Sequence, residues 1–540
     1  MELTLASLRK DEDAFEKAGI RLPGYDVAAL IKSSPEHPVW VHMGAGNIFH
    51  GFIATIAQRL LDQGLMKSGI LALSAYDGEA IRRVSRPHDH LKLNVTLLPD
   101  GSKELEVLGS VAGEYLLNGT APGDMEAARG FFRQKSLQML SFTITEKGYA
   151  LRDMRGELLP QVREDLKAGP EKCRSAMALC TALLLERFRA GGYPIAMVSM
   201  DNCSHNGSKL KAAVEEIARA WVDAGFAEKG FAEYIGDPLR VSFPWTMIDK
   251  ITPRPDPDVA KELAAMGLKG MEPLKTARGS FIAPFVNAEK PGYLVIEDSF
   301  PAGRPPLEKA GVLFTDAKGV DLCERMKVTV CLNPLHTALA VYGCVLGYKK
   351  ISDEMHDALL DALVKRLGRA EGLKVVDDPK IISPEAFLDE VIEQRLVNRC
   401  LPDTPQRIAT DTSMKVPVRF GETLKNYQKR GLDASKLVAL PLAIAGWLRY
   451  LMGVDDEGRP FELSDDPQIP SLKEKMKGIV YGKPGSVGDK LHDILSNAQL
   501  FGVDLYKIGL GKKIEKFFAE EIIGPGAVKA TLGKELMAPV

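Results

Sequence analysis

The segment Val41-His42-Met43-Gly44-Ala45-Gly46-Asn47-Ile48-Phe49-His50-Gly51 constrains the fold of this chain more than any other. A strand-like run, Val39-Trp40-Val41-His42-Met43, ends in glycines and passes directly towards the amphipathic stretch Ile53 to Gln63. Gly44 permits a tight turn, and Gly46 lets the backbone approach a pyrophosphate. The helix N-terminus beyond them offers free N–H groups and the positive end of a dipole. The third glycine of the dinucleotide fingerprint is absent. Phe49 stands in its place, and Gly51 is available for close helix packing. Gly44, Gly46, Asn47, Ile48 and Phe49 are therefore the expected cofactor loop. A flavin or S-adenosylmethionine would fit the same turn.

The β-α alternation continues for about 300 residues. Ile70-Leu71-Ala72-Leu73 reads as a second strand, Gln138 to Thr143 as another, Ser175 to Ala190 as a helix and Ile195 to Ser199 as a strand. Tyr293-Leu294-Val295-Ile296 is read as the last strand. Such alternation predicts a parallel sheet with helices on both faces. The second strand should end in an acid that binds the adenosine ribose. Asp77 is the candidate, with Glu79 behind it, although it lies further from Gly46 than the usual ~20 residues. An acid there favours NAD and repels the 2′-phosphate of NADP; a helix N-cap is the other reading of Asp77.

With 540 residues, the chain is too long for one ordinary core. Phe300-Pro301-Ala302-Gly303-Arg304-Pro305-Pro306 is a linker candidate. Beyond it, Asp353 to Arg369, Pro384 to Arg395 and Lys513 to Ile522 have helical periodicity. The expected fold is α/β plus α: a Rossmann-type doubly wound domain over 1–305 and a mainly α-helical domain over 306–540. A net charge of -2 gives no reason to bind nucleic acid or an anionic membrane. Leu437 to Leu448 is too short to span a bilayer and reads as a buried helix. Met1 to Lys10 lacks the apolar core of a signal peptide, which points to the cytoplasm. Seven cysteines without a CxxC argue against disulfides and a zinc site, so no metal is expected. His88-Asp89-His90 lacks a third ligand and reads as a surface loop.

Glu324-Arg325-Met326-Lys327-Val328-Thr329-Val330-Cys331-Leu332-Asn333-Pro334-Leu335-His336 sets Lys, Asn and His into an apolar run. Buried polar groups need a partner or a function. Desolvation lowers the affinity of a lysine for its proton and makes it a usable base. Alcohol oxidation requires that base, together with donors such as Asn for the alkoxide-like oxygen. The plain alternative is a salt-bridged lysine and a satisfied core histidine.

This segment resembles the Lys…Asn…His motif of the mannitol dehydrogenase family of long-chain polyol-specific dehydrogenases. Further matches run in order. Thr143-Ile144-Thr145-Glu146-Lys147-Gly148-Tyr149 resembles T-x-T-E-x-G-Y, and Ser199 to Gly207 resembles S-x-D-N-x-x-H-N-G. Phe243 to Pro253 is similar to F-P-x-S-M-V-D-R-I-T-P, and Arg407 to Lys415 to R-x-x-x-D-G-S-x-K. The resemblance implies a metal-independent NAD(P)-dependent dehydrogenase. Lys327 would be the general base, Asn202 and Asn333 would bind the reacting oxygen, and His336 would orient the substrate. Glu324 would lie on a proton path. Arg407 and Lys415 would hold hydroxyls or a carboxylate, Asp249 would sit near the substrate end, and Glu146 joins the cofactor residues. His205 is either an orienting group or a loop residue. The site is expected in the cleft between the domains.

Two departures qualify the match. The spacing from Lys327 to Asn333 is one residue longer than in typical mannitol dehydrogenases. One residue turns a regular helix by about 100°, and Pro334 crowds the carbonyl of Val330. A bulge or kink between Lys327 and Pro334 is therefore expected. The glycine loop is closer to that of tagaturonate reductases and mannitol-phosphate enzymes. The substrate reading leans to the fructuronate/mannonate pair, with mannitol/fructose as runner-up and tagaturonate reduction as a further alternative. A non-catalytic nucleotide-binding regulator and a methyltransferase are the rivals from other classes.

Overall fold

A computed structural model describes residues 1–76 and 78–537. The described residues form two compact units, one within 1–97 and 102–321, the other within 98–101 and from 322 onward. The sequence places the division at 305/306, after the Pro- and Gly-rich segment. Contacts place it at Asp321, because Leu307–Ala310 and Leu313–Thr315 still pack with the first unit.

The first unit is built on six parallel strands: β1 (Trp40–Met43), β2 (Ile70–Ser74), β3 (Val111–Leu116), β4 (Met139–Phe142), β5 (Ile195–Ser199) and β6 (Val241–Ser242). Their order in the sheet is β3-β2-β1-β4-β5-β6. The order reverses beside β1, where a doubly wound sheet leaves its ligand crevice. Both faces are covered. Val41, Met43, Leu71 and Leu73 pack with α2 (Ala176–Arg189) and α3 (Asn206–Asp223). Trp40, Ile70 and Ala72 point the other way, onto Phe49 to Leu61, which runs into α1 (Ala54–Asp62), and onto Ile248, Leu294 and Ile296. This two-sided burial explains the near-continuous apolar runs in these strands.

Tyr293–Glu297 is a strand, as read from sequence, but it is neither the last strand nor part of this sheet. It pairs antiparallel with Thr246–Asp249 and parallel with Leu313–Thr315. A four-stranded sheet of Ile20–Arg21, Lys103–Leu108, Lys92–Leu97 and Phe285–Glu289 and a two-stranded one of Leu274–Lys275 and Phe281–Ile282 also belong to the unit. β-α alternation does not announce these sheets: Lys92–Leu97 and Lys103–Leu108 form a local hairpin, and Ile20–Arg21, Phe285–Glu289 and Thr246–Asp249 find partners far away in sequence.

The second unit is helical. Its centre is α4 (Asn333–Leu346), eleven of whose residues are buried. It packs on α6 (Ala439–Leu451), which is buried along its whole length as the sequence predicts. Gly446 makes the crossing possible: a Cβ there would lie 2.4 Å from the Tyr342 ring. Between them in sequence, α5 (Thr412–Arg419) carries Lys415. The helical stretch Ala317–Leu346 is long and apolar enough to cross a membrane, but 83% of its most apolar window is buried in the fold.

Gly207, at the start of α3, offers a direct test of packing. A Cβ there would lie 2.4 Å from the Phe243 carbonyl oxygen and 2.7 Å from that of Pro244. Gly207→Ala should lower stability by roughly 1–3 kcal/mol, read as a lower denaturation midpoint. Gly130→Ala, in a helix with nothing within 4 Å of the new methyl group, should not lower it. Equal behaviour of the two variants would contradict this packing.

Candidate active site

The glycine turn follows β1 at the reversal of strand order. Gly44 has φ 110°, and a Cβ on it would lie 2.2 Å from the Thr143 carbonyl oxygen, so only glycine fits. Gly46 has nothing within 4 Å of its missing Cβ; it faces open space, where a ligand can reach the backbone. Gly51 would meet Thr252 at 2.8 Å and Val286 at 3.3 Å. It thus provides the close packing expected of it, against a strand of the four-stranded sheet.

A cavity of about 510 Å³ opens at this turn, lined by Gly44, Gly46, Asn47, Ser74, Tyr76 and Thr143 on one side and by residues from Ser280 to Val286 on the other. That size lies within the range of small-molecule and cofactor sites. Asn47 lines it while its side-chain amide donates to the Pro253 carbonyl at 3.3 Å. Ile48 and Phe49 do not line it. Ile48 is half-buried, and Phe49 is fully buried, stacked on His42 with ring centroids 4.3 Å apart. The turn into the helix is a π segment, Phe49–Ile53, that directs the Phe49 ring back onto the sheet. Asp77 lies outside the described residues. Glu79 accepts from the Ala277 N–H at 2.8 Å and from Arg83 at 3.0 Å. Glu146 is exposed, paired with Lys209 at 2.5 Å, and does not line the cavity.

Two polar residues at this cavity escaped the sequence reading: His50 and Lys92. Burial pushes the His50 imidazole well below its ordinary range, and its Nδ1 has no hydrogen-bond partner among the described residues. Lys92 donates to the Ala283 carbonyl at 3.1 Å, and burial lowers it as well. The one visible signal was a lysine in the apolar alternation Leu91-Lys92-Leu93. The open face of Gly46 and the orphaned Nδ1 of His50 fit a polar ligand lying along this wall.

The long motifs act as locks around the turn. Asp201 accepts from the N–H groups of Ile144 and Thr145, each at 2.9 Å, and from the Tyr149 hydroxyl at 2.5 Å. It thereby holds Thr145 at φ 66° and joins S-x-D-N to T-x-T-E-x-G-Y. Asn206 has no exposure. Its amide donates to the carbonyls of Asp201 and Thr246, and its Oδ1 accepts from Thr246 N–H at 3.0 Å. It fastens the same loop to the F-P-W-T-M block. His205 stacks on Trp245 with centroids 4.3 Å apart and meets Asp321 at 3.2 Å. Asn202 stands exposed on this loop, and Asp249 is buried at the end of its strand, opposite Tyr293. Behind the glycines, the His42 imidazole bridges Ser141 Oγ at 2.6 Å and Thr143 Oγ1 at 2.9 Å; burial pushes it down to about 3.

In the second unit, Lys327 is 2% exposed and opens a π turn, Lys327–Cys331, closed by Leu332 N–H donating to the Lys327 carbonyl at 3.1 Å. A π turn accommodates one extra residue. Leu332 then leaves helical geometry (φ −133°, ψ −63°), and α4 restarts at Asn333 with Pro334 in its first turn, where a missing N–H costs nothing. The bulge expected from the spacing is thus present in the backbone. Glu324 lies half-buried one turn before Lys327. His336 lies one turn after Asn333. Its Nε2 is 3.9 Å from Asp403, and burial pushes the imidazole down to about 4 despite that carboxylate. Arg407 donates to Asp403, and Lys415 donates to the carbonyls of Ile408 and Thr410. All seven cysteines are free thiols, and no group of His, Cys, Asp and Glu suited to a metal occurs among the described residues.

The family models of the mannitol dehydrogenase Rossmann domain and C-terminal domain match residues 39–309 and 320–517. The chain belongs to the mannitol dehydrogenase family. It is an oxidoreductase with a dinucleotide-binding Rossmann domain and a helical C-terminal domain. A D-mannonate oxidoreductase of Thermotoga maritima is 52% identical to it over 97% of both chains. An uncharacterized oxidoreductase of Escherichia coli is 30% identical over 86% of this chain and 88% of its own. Among solved structures, a substrate-free D-sorbitol dehydrogenase has a TM-score of 0.77 at 27% identity, covering 95% of this chain and 98% of its own. A Pseudomonas fluorescens mannitol 2-dehydrogenase bound to NAD and D-mannitol shares the fold, with a TM-score of 0.68 at 24% identity and full coverage of both chains.

Gly46→Ala should leave the ligand-free denaturation midpoint unchanged, since nothing in the protein meets the methyl group. It should weaken dinucleotide binding at least ~10-fold, measured by fluorescence titration; unchanged affinity would exclude this wall as the cofactor cradle. His42 and His336 are both held neutral, whereas unfolded each binds a proton near ~6.5. The unfolded chain therefore binds more protons as pH falls from there towards 4, and stability falls with it. His42→Gln should flatten part of that slope in midpoints measured across the interval, and an unchanged slope would contradict it.

Proposed function

We propose that this chain is an NAD-dependent D-mannonate oxidoreductase (fructuronate reductase), interconverting the C–OH of an aldonate and the ketone of a ketohexuronate in the cytoplasm. The observation that carries the reading is the 52% identity over 97% of both chains to the Thermotoga maritima D-mannonate oxidoreductase. Identity to three mannitol 2-dehydrogenases of fungi is 28–29%. The sugar acid is the expected partner, with neither nucleic acid nor a membrane.

Gly44, Gly46 and Asn47 would hold the dinucleotide, whose nicotinamide would supply the hydride acceptor and donor. Lys327 takes the hydroxyl proton as the C–H bond gives up its electron pair, and returns the proton in the reverse direction. Its burial removes competing water from the amine and strengthens each interaction made there. Asn202 and Asn333 donate to the oxygen that gains charge, His336 orients it as a neutral hydrogen-bonding group, and Glu324 passes the proton towards solvent. Asp249 lies towards the substrate end. No step requires a metal, since Lys327 and the two amides provide base and electrostatic stabilisation.

Two measurements test the reading. In an NADH- and NADPH-linked screen, D-fructuronate should be reduced with kcat/KM at least ~100-fold above that for D-fructose, and NADH should be preferred. Preference for fructose or for tagaturonate would overturn the substrate assignment. Lys327→Met should lower kcat by roughly 10²–10⁴-fold while NADH affinity stays within about twofold; full activity would remove Lys327 from the chemistry.

A further inference from the structure

A sugar acid brings a carboxylate that needs a counter-charge wherever water is scarce. The cationic side chains around His336 differ in how far they are already engaged. Arg407 is held by Asp403, and its side chain is 62% exposed. Lys415 spends two donors on the carbonyls of Ile408 and Thr410. His336 is neutral at working pH and brings no charge.

Arg419 is different. It is the last residue of α5, four residues and so one turn beyond Lys415, on the same face of that helix. Its side chain makes one hydrogen bond, to the Thr337 hydroxyl at 2.6 Å, and Thr337 directly follows His336 on α4. Among the described residues no carboxylate pairs with it. Burial alone bears on the guanidinium, lowering it to about 10, with no acid opposing the shift. Its charge acts on His336 more strongly than those of Arg395 and Arg407, and it acts on Lys415 as well. Arg419 is half-buried, and a guanidinium with five donors and one neutral partner has donors left for a ligand. A planar carboxylate accepts such donors bidentately.

We propose that Arg419 binds the carboxylate of the substrate and, rather than Arg407 or Lys415, selects sugar acids over neutral polyols. The proposal rests on the sugar-acid reading above. A helix-terminal arginine that merely complements the dipole of α5 would instead affect all substrates alike.

The test uses the full-length enzyme with NADH and compares wild type, R419Q and R419K. KM and kcat for D-fructuronate are measured, with inhibition constants for D-mannonate and D-mannitol. In R419Q the fructuronate KM and the mannonate inhibition constant should rise roughly 10- to 100-fold, as for loss of a charge-assisted contact. The mannitol constant should stay within about twofold, and kcat should fall less than KM rises. R419K should recover part of the loss, because a point charge replaces the fork. Equal loss for mannonate and mannitol, or loss for neither, overturns the proposal. If R419Q does not fold, the mannonate-to-mannitol ratio in R419K decides: a weakened ratio supports Arg419, and an unchanged ratio overturns it. A wild-type enzyme that reduces no ketohexuronate overturns the sugar-acid reading itself and this proposal with it. That result is distinct from a wild type that reduces fructuronate and an R419Q that does so equally well.

Discussion

An amine buried where a helix loses its regularity is the constraint on which the second unit turns. Lys327 is flanked by Met326, Val330 and Cys331, all buried, and is itself 2% exposed. Taking an ammonium out of water costs several kcal/mol unless partners or a shift in protonation offset it. The backbone is also irregular at this point. The π turn Lys327–Cys331 and the break at Leu332 insert a residue, and α4 restarts with Pro334 where proline is harmless. Asn333 and His336 then occupy the first turn of a helix fixed by its burial against α6. Local irregularity on a rigid support is how a fold positions reacting groups without leaving them on a mobile loop.

The first unit applies the same economy to its cofactor wall. Gly44 cannot carry a side chain because the Thr143 carbonyl occupies the space, whereas Gly46 lacks one on the open side. The two glycines of one motif thus answer two different demands, one from the protein and one from the ligand. Asp201 and Asn206 fix the neighbouring loops through buried hydrogen bonds, so several of the most specific motif residues are structural supports. Exposed Asn202 is left on the loop they hold.

Much of this was legible in the sequence because it has short-range causes. Strand runs buried on two faces, the glycine turn, the buried α6 and the mismatch between Lys327 and Asn333 all follow from neighbouring residues. The division at Asp321, the separate sheet containing Tyr293–Glu297 and the inward face of Phe49 do not. Each depends on pairing between segments far apart in sequence, or on a π segment that rotates one side chain. His50 and Lys92 carried only the faint signal of polar groups in apolar runs. Arg419 carried none, because its significance lies in having no acidic partner among the described residues, which only the folded chain reveals.

If the buried Lys327 takes the proton as hydride leaves carbon, its ionisation governs mannonate oxidation. The pH dependence of kcat/KM for mannonate oxidation tests it most directly, in wild type and in Lys327→Met. Wild-type kcat/KM should fall about tenfold per pH unit below one breakpoint, and the variant should lose this breakpoint along with its rate. A variant that keeps the wild-type breakpoint would assign the ionisation to another group and contradict the account.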